Sequence, residues 1–205
     1  KKNSKSNLII SGLPKFSKNK LIKKDKKYEK TIFIIGQPLN LPGIKYNLDI
    51  LLTKLENYNN YDIIYKPHPS DNNHISFLKK YPFVNIIKTK NYQKLFVNCK
   101  VTITFFSSLG LEHSFIQSNL NFQISSLYYC LIGRDINKFI FKTTNNSSFP
   151  PETLGIGNVI KSSRRIDDIL SNKKNKSNNN YLLNSKKIFN LGMKPITTIK
   201  KHILL

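Results

Sequence analysis

The sequence predicts an α/β fold built on a doubly wound parallel sheet. Short β-branched runs of strand length alternate with segments of helical periodicity between Thr31 and Ser126, five strand signals in all. The runs close in turn-forming residues, which puts loops at the carboxyl ends of the strands, where open α/β sheets bind ligands. At 205 residues, one such domain with appended pieces fits the length, and a sizeable core is within reach.

In chain order, Thr31 to Gly36 reads as a buried strand closed by Gly36-Gln37-Pro38. Leu48, Leu51, Leu52 and Leu55 recur at helical spacing and predict a helix from Tyr46 to Tyr58. Asp62 to Tyr65 is a second strand, closed by Lys66-Pro67-His68-Pro69, after which Ser70 is expected to cap a helix over Asp71 to Lys80. Phe83 to Ile87 reads as a strand, Tyr92 to Asn98 as a helix and Val101 to Phe106 as a strand. Ser107 and Ser108 then open a helix through Leu111, Phe115 and Ile116, and Leu120 to Ile124 is the fifth strand expected. Three loops therefore command attention: Gly36 to Gly43, Lys66 to Ser70, and Phe106 to Leu109.

The flanks say less. Residues 1–30 hold one apolar run, Asn7 to Ser11, and a lysine-rich connector, and are expected to be a linker or the end of a preceding domain. The α/β domain is expected over 31–170, and 171–205 as a loose Ser/Asn/Lys loop followed by helices broken near Gly192 and Pro195. The start at Lys1 marks the sequence as an expected piece of a longer chain, with an amino-terminal part preceding it. No apolar run approaches the roughly 20 residues that span a bilayer, so a soluble or peripheral protein is expected.

The net charge of +23 suggests nucleic acid, but the cations argue otherwise. Arginine occurs only at Arg134, Arg164 and Arg165, whereas base and phosphate readers lean on its bidentate fork. Lysines crowd the ends, Lys15 to Lys30 and Lys173 to Lys201, and Asn, Ile and Lys are abundant throughout, as an AT-rich coding sequence would produce. No nucleic-acid partner is expected. A solvated lysine-rich exterior or a face turned to anionic lipid accounts for the charge. Cys99 and Cys130 lie in apolar segments and have neither disulfide framework nor zinc spacing, so buried free thiols and a cytoplasmic setting are expected.

The chemistry gathers in two loops. In Lys66-Pro67-His68-Pro69 the flanking prolines stiffen the backbone and bias Lys66 and His68 to extended geometry. A rigid histidine at a strand's carboxyl end can donate to a phosphate oxygen, and Lys66 adds charge. A turn with an incidental exposed histidine is the plain alternative. In Phe105-Phe106-Ser107-Ser108-Leu109-Gly110, a buried strand delivers two hydroxyls and free backbone N–H groups to a helix start. An ordinary serine cap is the alternative there. Both loops fall at the same edge of the expected sheet.

The ordered set resembles bacterial sialyltransferases of GT-B type, glycosyltransferase family 52 and the polysialyl types. These carry a His-Pro motif after one strand and Ser-Ser or Ser-Thr after a later one, matched here by His68-Pro69 and Ser107-Ser108. Thr31-Ile-Phe-Ile-Ile-Gly-Gln-Pro-Leu39 is similar to the strand and loop preceding the motif in the lipooligosaccharide branch. The likeness covers about half of the chain and implies the Rossmann-like, nucleotide-sugar-binding half of a GT-B enzyme. It implies His68 as the residue that binds donor phosphate and supports CMP departure, with Ser107 and Ser108 gripping the phosphate or donor carboxylate. Lys66, Pro69, Gly36 and Gln37 complete the implied donor set, and Glu112, one turn beyond the serines, is a candidate for the donor hydroxyls. The implied donor is CMP-sialic acid, with no cofactor and no metal. The implied acceptor is a lipooligosaccharide or capsule glycan or glycolipid, reached from the cytoplasmic membrane face, and self-association into a homo-oligomer belongs to the same expectation.

One departure from the family matters. An acidic pair followed by glycine, the general base, is expected after Gly-Gln-Pro-Leu, but Asn40-Leu41-Pro42-Gly43 stands there. Asp49, the nearest carboxylate, falls inside a predicted helix. Either the base lies upstream or this copy is impaired. Three other readings stand beside it: a glycerophosphotransferase or other surface-polymer transferase, which shares the Lys-Pro-His-Pro loop; a degenerate nucleotide-binding module; and nucleic-acid binding, which rests on net charge alone. His74 and His113 are expected as surface or packing residues, Tyr128 and Tyr129 as core or edge residues, and Gly133-Arg134-Asp135 as a turn.

Overall fold

The computed structural model describes residues 25–87, 92–119, 125–144, 149–171 and 184. Six strands form one sheet: β1 (Thr31–Ile35), β2 (Asp62–Lys66), β3 (Val84–Ile86), β4 (Val101–Thr104), β5 (Ser126–Cys130) and β6 (Asn158–Ile160). All neighbours are parallel, in the order β3-β2-β1-β4-β5-β6. The helices are α1 (Ile44–Leu55), α2 (His74–Leu78), α3 (Gln93–Asn98), α4 (Ser108–Asn119), α5 (Arg134–Thr144), α6 (Pro150–Thr153) and α7 (Arg164–Leu170).

The central strands explain why the sequence shows no alternation. Every residue of β1 and β4 is buried, because helices cover both faces of a parallel sheet. Ile32, Ile34, Ile63, Tyr65 and Ile103 join one cluster with Leu48, Leu51, Leu52 and Leu55 of α1. Phe33 and Ile35, pointing the other way, join Leu95, Phe96 and Cys99. Burying each α1 leucine is worth about 2 kcal/mol, which fixes that helix across β1 and β2. Lys54 and Tyr58 then tie α1 to α7 through Asp167, at 2.9 and 3.2 Å.

Several sequence expectations shift. The fifth strand observed is Ser126–Cys130, so Tyr128 and Tyr129 are core strand residues, both buried. The strand expected over Leu120 to Ile124 lies outside the described residues. So do the run at Asn7 to Ser11, nearly all of the expected loop from Ser171 to Asn180 and, but for residue 184, the expected carboxyl-terminal helices. The three-residue β6 was not anticipated. Helix α2 starts at His74 rather than Asp71, and its N-cap is Asn73, so Ser70 does not cap it. Cys99 and Cys130 are buried free thiols, as expected.

β1 leads to β2 on one side and has β4 on the other, which makes the β1/β4 boundary the switch point of the sheet. The three loops singled out from sequence follow β1, β2 and β4, three consecutive strands. They converge on that edge. No helix of the described residues is long and apolar enough to cross a membrane.

Candidate functional site

The β2 loop is a tight, internally bonded turn. Asp71 N–H donates to His68 C=O at 3.0 Å, with Pro69 following His68 in the turn. Ser70 N–H donates to His68 Nδ1 at 3.2 Å, and the Ser70 hydroxyl lies 2.8 Å from the same nitrogen. A backbone N–H can only donate, so Nδ1 is the acceptor and the neutral ring carries its proton on Nε2. The turn therefore presents His68, half-buried, as a hydrogen-bond donor. Pro69 and Ser70 are exposed. His74, one turn further on, is buried and packed, with Nδ1 2.6 Å from Asp71 C=O.

The start of this turn is locked to the β1 loop. Gly36 N–H donates to Lys66 C=O at 2.8 Å. A Cβ at Gly36 would run into the Tyr65 hydroxyl and lie 2.6 Å from the ring carbon that bears it, so only glycine lets that fully buried ring close over the loop. Gln37, next along, is buried too.

Lys66 points to the opposite face from Tyr65 and meets α3 and α4. Its ammonium sits 5.0 Å from the Tyr92 ring centroid. Tyr92 Oη and Gln93 Nε2 donate to the two oxygens of Glu112 at 3.3 and 2.9 Å. Desolvation lowers the Lys66 pKa, opposed by the Glu112 carboxylate. Burial, helped by Glu112, pushes the Tyr92 hydroxyl up to about 12, which keeps it a donor. Glu112, 2% exposed, is thus bonded to the start of α3, and through Tyr92 it steadies Lys66. Tyr92 and Gln93 escaped the sequence reading because nothing local announces a partner twenty residues away.

The two serines divide their work. Ser107 is buried, and its Oγ accepts Leu109 N–H at 3.2 Å while its C=O accepts Gly110 N–H at 2.9 Å. That is the capping role. Ser108 begins α4 and is exposed. Thr104 Oγ1 donates to Ile35 C=O at 3.3 Å, pinning the ends of β1 and β4 together beneath the serines.

Two further features frame this edge. Asn47, fully buried on α1, donates to Gly43 C=O and Ile132 C=O, both at 2.8 Å, and accepts Ile132 N–H at 2.6 Å. It clamps the β1 loop to the end of β5. A lone asparagine on the leucine-bearing face of a predicted helix was the available signal. Asp49 accepts from Lys80 at 2.7 Å and Tyr81 at 2.5 Å, bonds that lower its pKa, so it is a poor base. Among the described residues no three His, Cys, Asp or Glu side chains gather into a metal-holding group.

Neither a protein-family model nor a curated protein sequence matches the chain. Solved structures do match. The glycosyltransferase SnogD from Streptomyces nogalater aligns at 10% identity and TM-score 0.51, covering 91% of this chain and 46% of that one. The glycotransferase of kitacinnamycin aligns at 10% identity and TM-score 0.50, over 88% of this chain and 44% of that one. The wall teichoic acid polymerase TagF aligns at 15% identity with a TM-score of 0.45, over 89% and 44%. The chain spans less than half the length of each of these structures. Identities this low speak to fold alone, and the fold they share is an α/β, Rossmann-like one with an all-parallel six-stranded sheet, which matches half of a GT-B structure.

Proposed function

We propose that the chain is the donor-binding half of a GT-B-type transferase that moves sialic acid from CMP-sialic acid to a surface glycan. The observation that carries this reading is the β2 turn, which presents a donor Nε2–H of His68 beside the switch point where Ser108 and the Gly36 loop also lie. The reaction is a single displacement. An acceptor hydroxyl forms the new bond at the anomeric carbon, the bond from that carbon to the CMP phosphate oxygen breaks, and CMP leaves with the electron pair. His68 Nε2–H and the Lys66 ammonium stabilise the charge gathering on that phosphate. The acceptor proton needs a base from outside the β1 loop, since Asp49 is committed elsewhere. The lysine-rich exterior suits a chain working against an anionic membrane surface on the cytoplasmic side.

Lys-Pro-His-Pro also supports a second donor, CDP-glycerol, and titration separates the two. Calorimetry with CMP and with CDP-glycerol, before and after His68→Ala, is expected to show CMP binding that weakens at least about tenfold in the variant. A preference for CDP-glycerol would favour the glycerophosphotransferase reading. Absence of binding to either would overturn the donor-site reading.

A further inference from the structure

The two most exposed large apolar side chains among the described residues are Tyr46, at 58%, and Phe141, at 54%. They stand on neighbouring helices. Gly43, just ahead of α1, lies against the first turn of α5, where a Cβ on it would come within 2.7 Å of Ile136 N. The Tyr46 ring is 3.3 Å from the place of a Cβ on Gly133, and Asn47 joins the same two helix starts through Ile132. We propose that the outer surface of α5 with the start of α1 is a docking face for an anionic phospholipid bilayer, an inference that builds on the membrane setting of the functional reading.

Helix α5 has two sides of different chemistry. Ile136 and Ile140 are buried, and the half-buried Phe139 packs on Phe106 with ring centroids 5.5 Å apart. Those residues turn inward. By helical periodicity Phe141 falls on the outer side, together with Arg134 and Lys138. Lys142 follows it, Lys45 stands beside Tyr46, and all four cations are exposed. Among the described residues none of the four enters an ion pair, and Asp135 is the one acid of α5. Neither Tyr46 nor Phe141 belongs to a core cluster, so packing within the chain does not account for them.

The pattern selects the partner. A ring flanked by Lys and Arg on the outer side of an amphipathic helix suits a headgroup boundary, where the ring enters the acyl margin and the cations stay with lipid phosphates. A second copy of the chain suits it poorly, because joining two such faces sets like charges together on molecules that each carry +23. Position links the face to the candidate site. Both helices begin at the carboxyl edge of the sheet, and Phe106, on which α5 packs, directly precedes Ser107 and Ser108. Docking here keeps that edge beside the bilayer, where a membrane-held acceptor glycan is presented.

The test is co-sedimentation of the 205-residue chain with vesicles of phosphatidylcholine, alone or with about one third phosphatidylglycerol. Binding is expected to the anionic vesicles only. Phe141→Ser should weaken it about tenfold, and Lys138→Gln combined with Lys142→Gln about tenfold as well. Lys26→Gln combined with Lys94→Gln removes the same charge from exposed positions on the other face of the sheet, and should cost no more than about twofold. Equal losses from the two lysine pairs, or indifference to Phe141→Ser, would overturn the docking face and leave only a diffuse attraction. A dimer in sedimentation equilibrium that Phe141→Ser dissolves would assign the face to a second copy and overturn the lipid partner. If the unaltered chain binds neither vesicle, the membrane setting itself falls along with the face, while CMP titration tests the donor reading separately.

Discussion

The backbone N–H of Ser70 donates to Nδ1 of His68 at 3.2 Å, and this fixes which nitrogen of His68 faces outward with a proton. The orienting group is main chain, so the Ser70 side chain is dispensable for it. Ser70→Ala is expected to keep nucleotide affinity within about twofold, while His68→Ala loses tenfold or more. Calorimetric titration with CMP decides this. Equal losses in the two variants would mean that the hydroxyl, 2.8 Å from Nδ1, does the orienting.

Gly36 and Tyr65 form a size-matched pair. Gly36→Ala should cost about 1–3 kcal/mol, because the new methyl meets the end of a fully buried ring. The Tyr65 hydroxyl has no hydrogen-bond partner among the described residues, and burial raises its pKa, so it stays a neutral, unsatisfied group. Tyr65→Phe should therefore be neutral or stabilising by up to about 1 kcal/mol, and it should recover part of the Gly36→Ala loss. Urea denaturation of the two single variants and the double variant gives the coupling. Strict additivity would show that the hydroxyl is not the obstacle.

The legible parts of this molecule were those whose physics is local. Thr31–Ile35 and Val101–Thr104 are dense β-branched runs, and the prolines around His68 announce a rigid turn. What stayed hidden depended on partners far along the chain. Ser126–Cys130 is buried on both sides and has no period to read, and Asn158–Ile160 is too short to carry one. Ser70 has the chemistry of a helix cap but spends it on His68, and Glu112 spends its oxygens on Tyr92 and Gln93. The loops after β1, β2 and β4 were therefore legible as loops at one edge of the sheet, while the bonds that orient their side chains were not.

Asn47 should be among the costliest substitutions. It satisfies two carbonyls and one N–H where water cannot reach. Asn47→Leu keeps the volume but strands Ile132 N–H and C=O, and a loss of about 3 kcal/mol is expected. Because Asn47 joins the β1 loop to the end of β5, CMP affinity should fall as well, even at temperatures where the variant is folded. A variant as stable as the parent would mean that these groups find other partners.

His113 gives the fold a defined acid sensitivity. It is fully buried against Phe96, and desolvation lowers its pKa from 6.5 to about 3. Between those values the unfolded chain holds a proton that the folded one refuses, so stability drops as pH falls below 6.5. The slope approaches about 1.4 kcal/mol per pH unit, or roughly 1–2 kcal/mol between pH 6.5 and 5, above the range where carboxylates titrate. His113→Leu should flatten that part of the profile, whatever it does to absolute stability. Parallel profiles for parent and variant, measured by urea midpoint, would place the sensitivity elsewhere.

Ser107 and Ser108 are adjacent in sequence, yet they should fail in different assays. Ser107 is buried and caps α4, so Ser107→Ala should cost about 1 kcal/mol of stability, the usual value of a lost N-cap. Ser108 is exposed at the first turn of the helix and makes no cap bond, so Ser108→Ala should leave stability within about 0.5 kcal/mol. Its loss should appear instead as weaker CMP binding, by about fivefold, since one neutral hydrogen bond to the ligand goes. Thermal melts and calorimetry on both variants separate the roles. If Ser108→Ala leaves CMP affinity untouched, the serine pair acts only as a helix start, and the proposed donor contact of Ser108 fails.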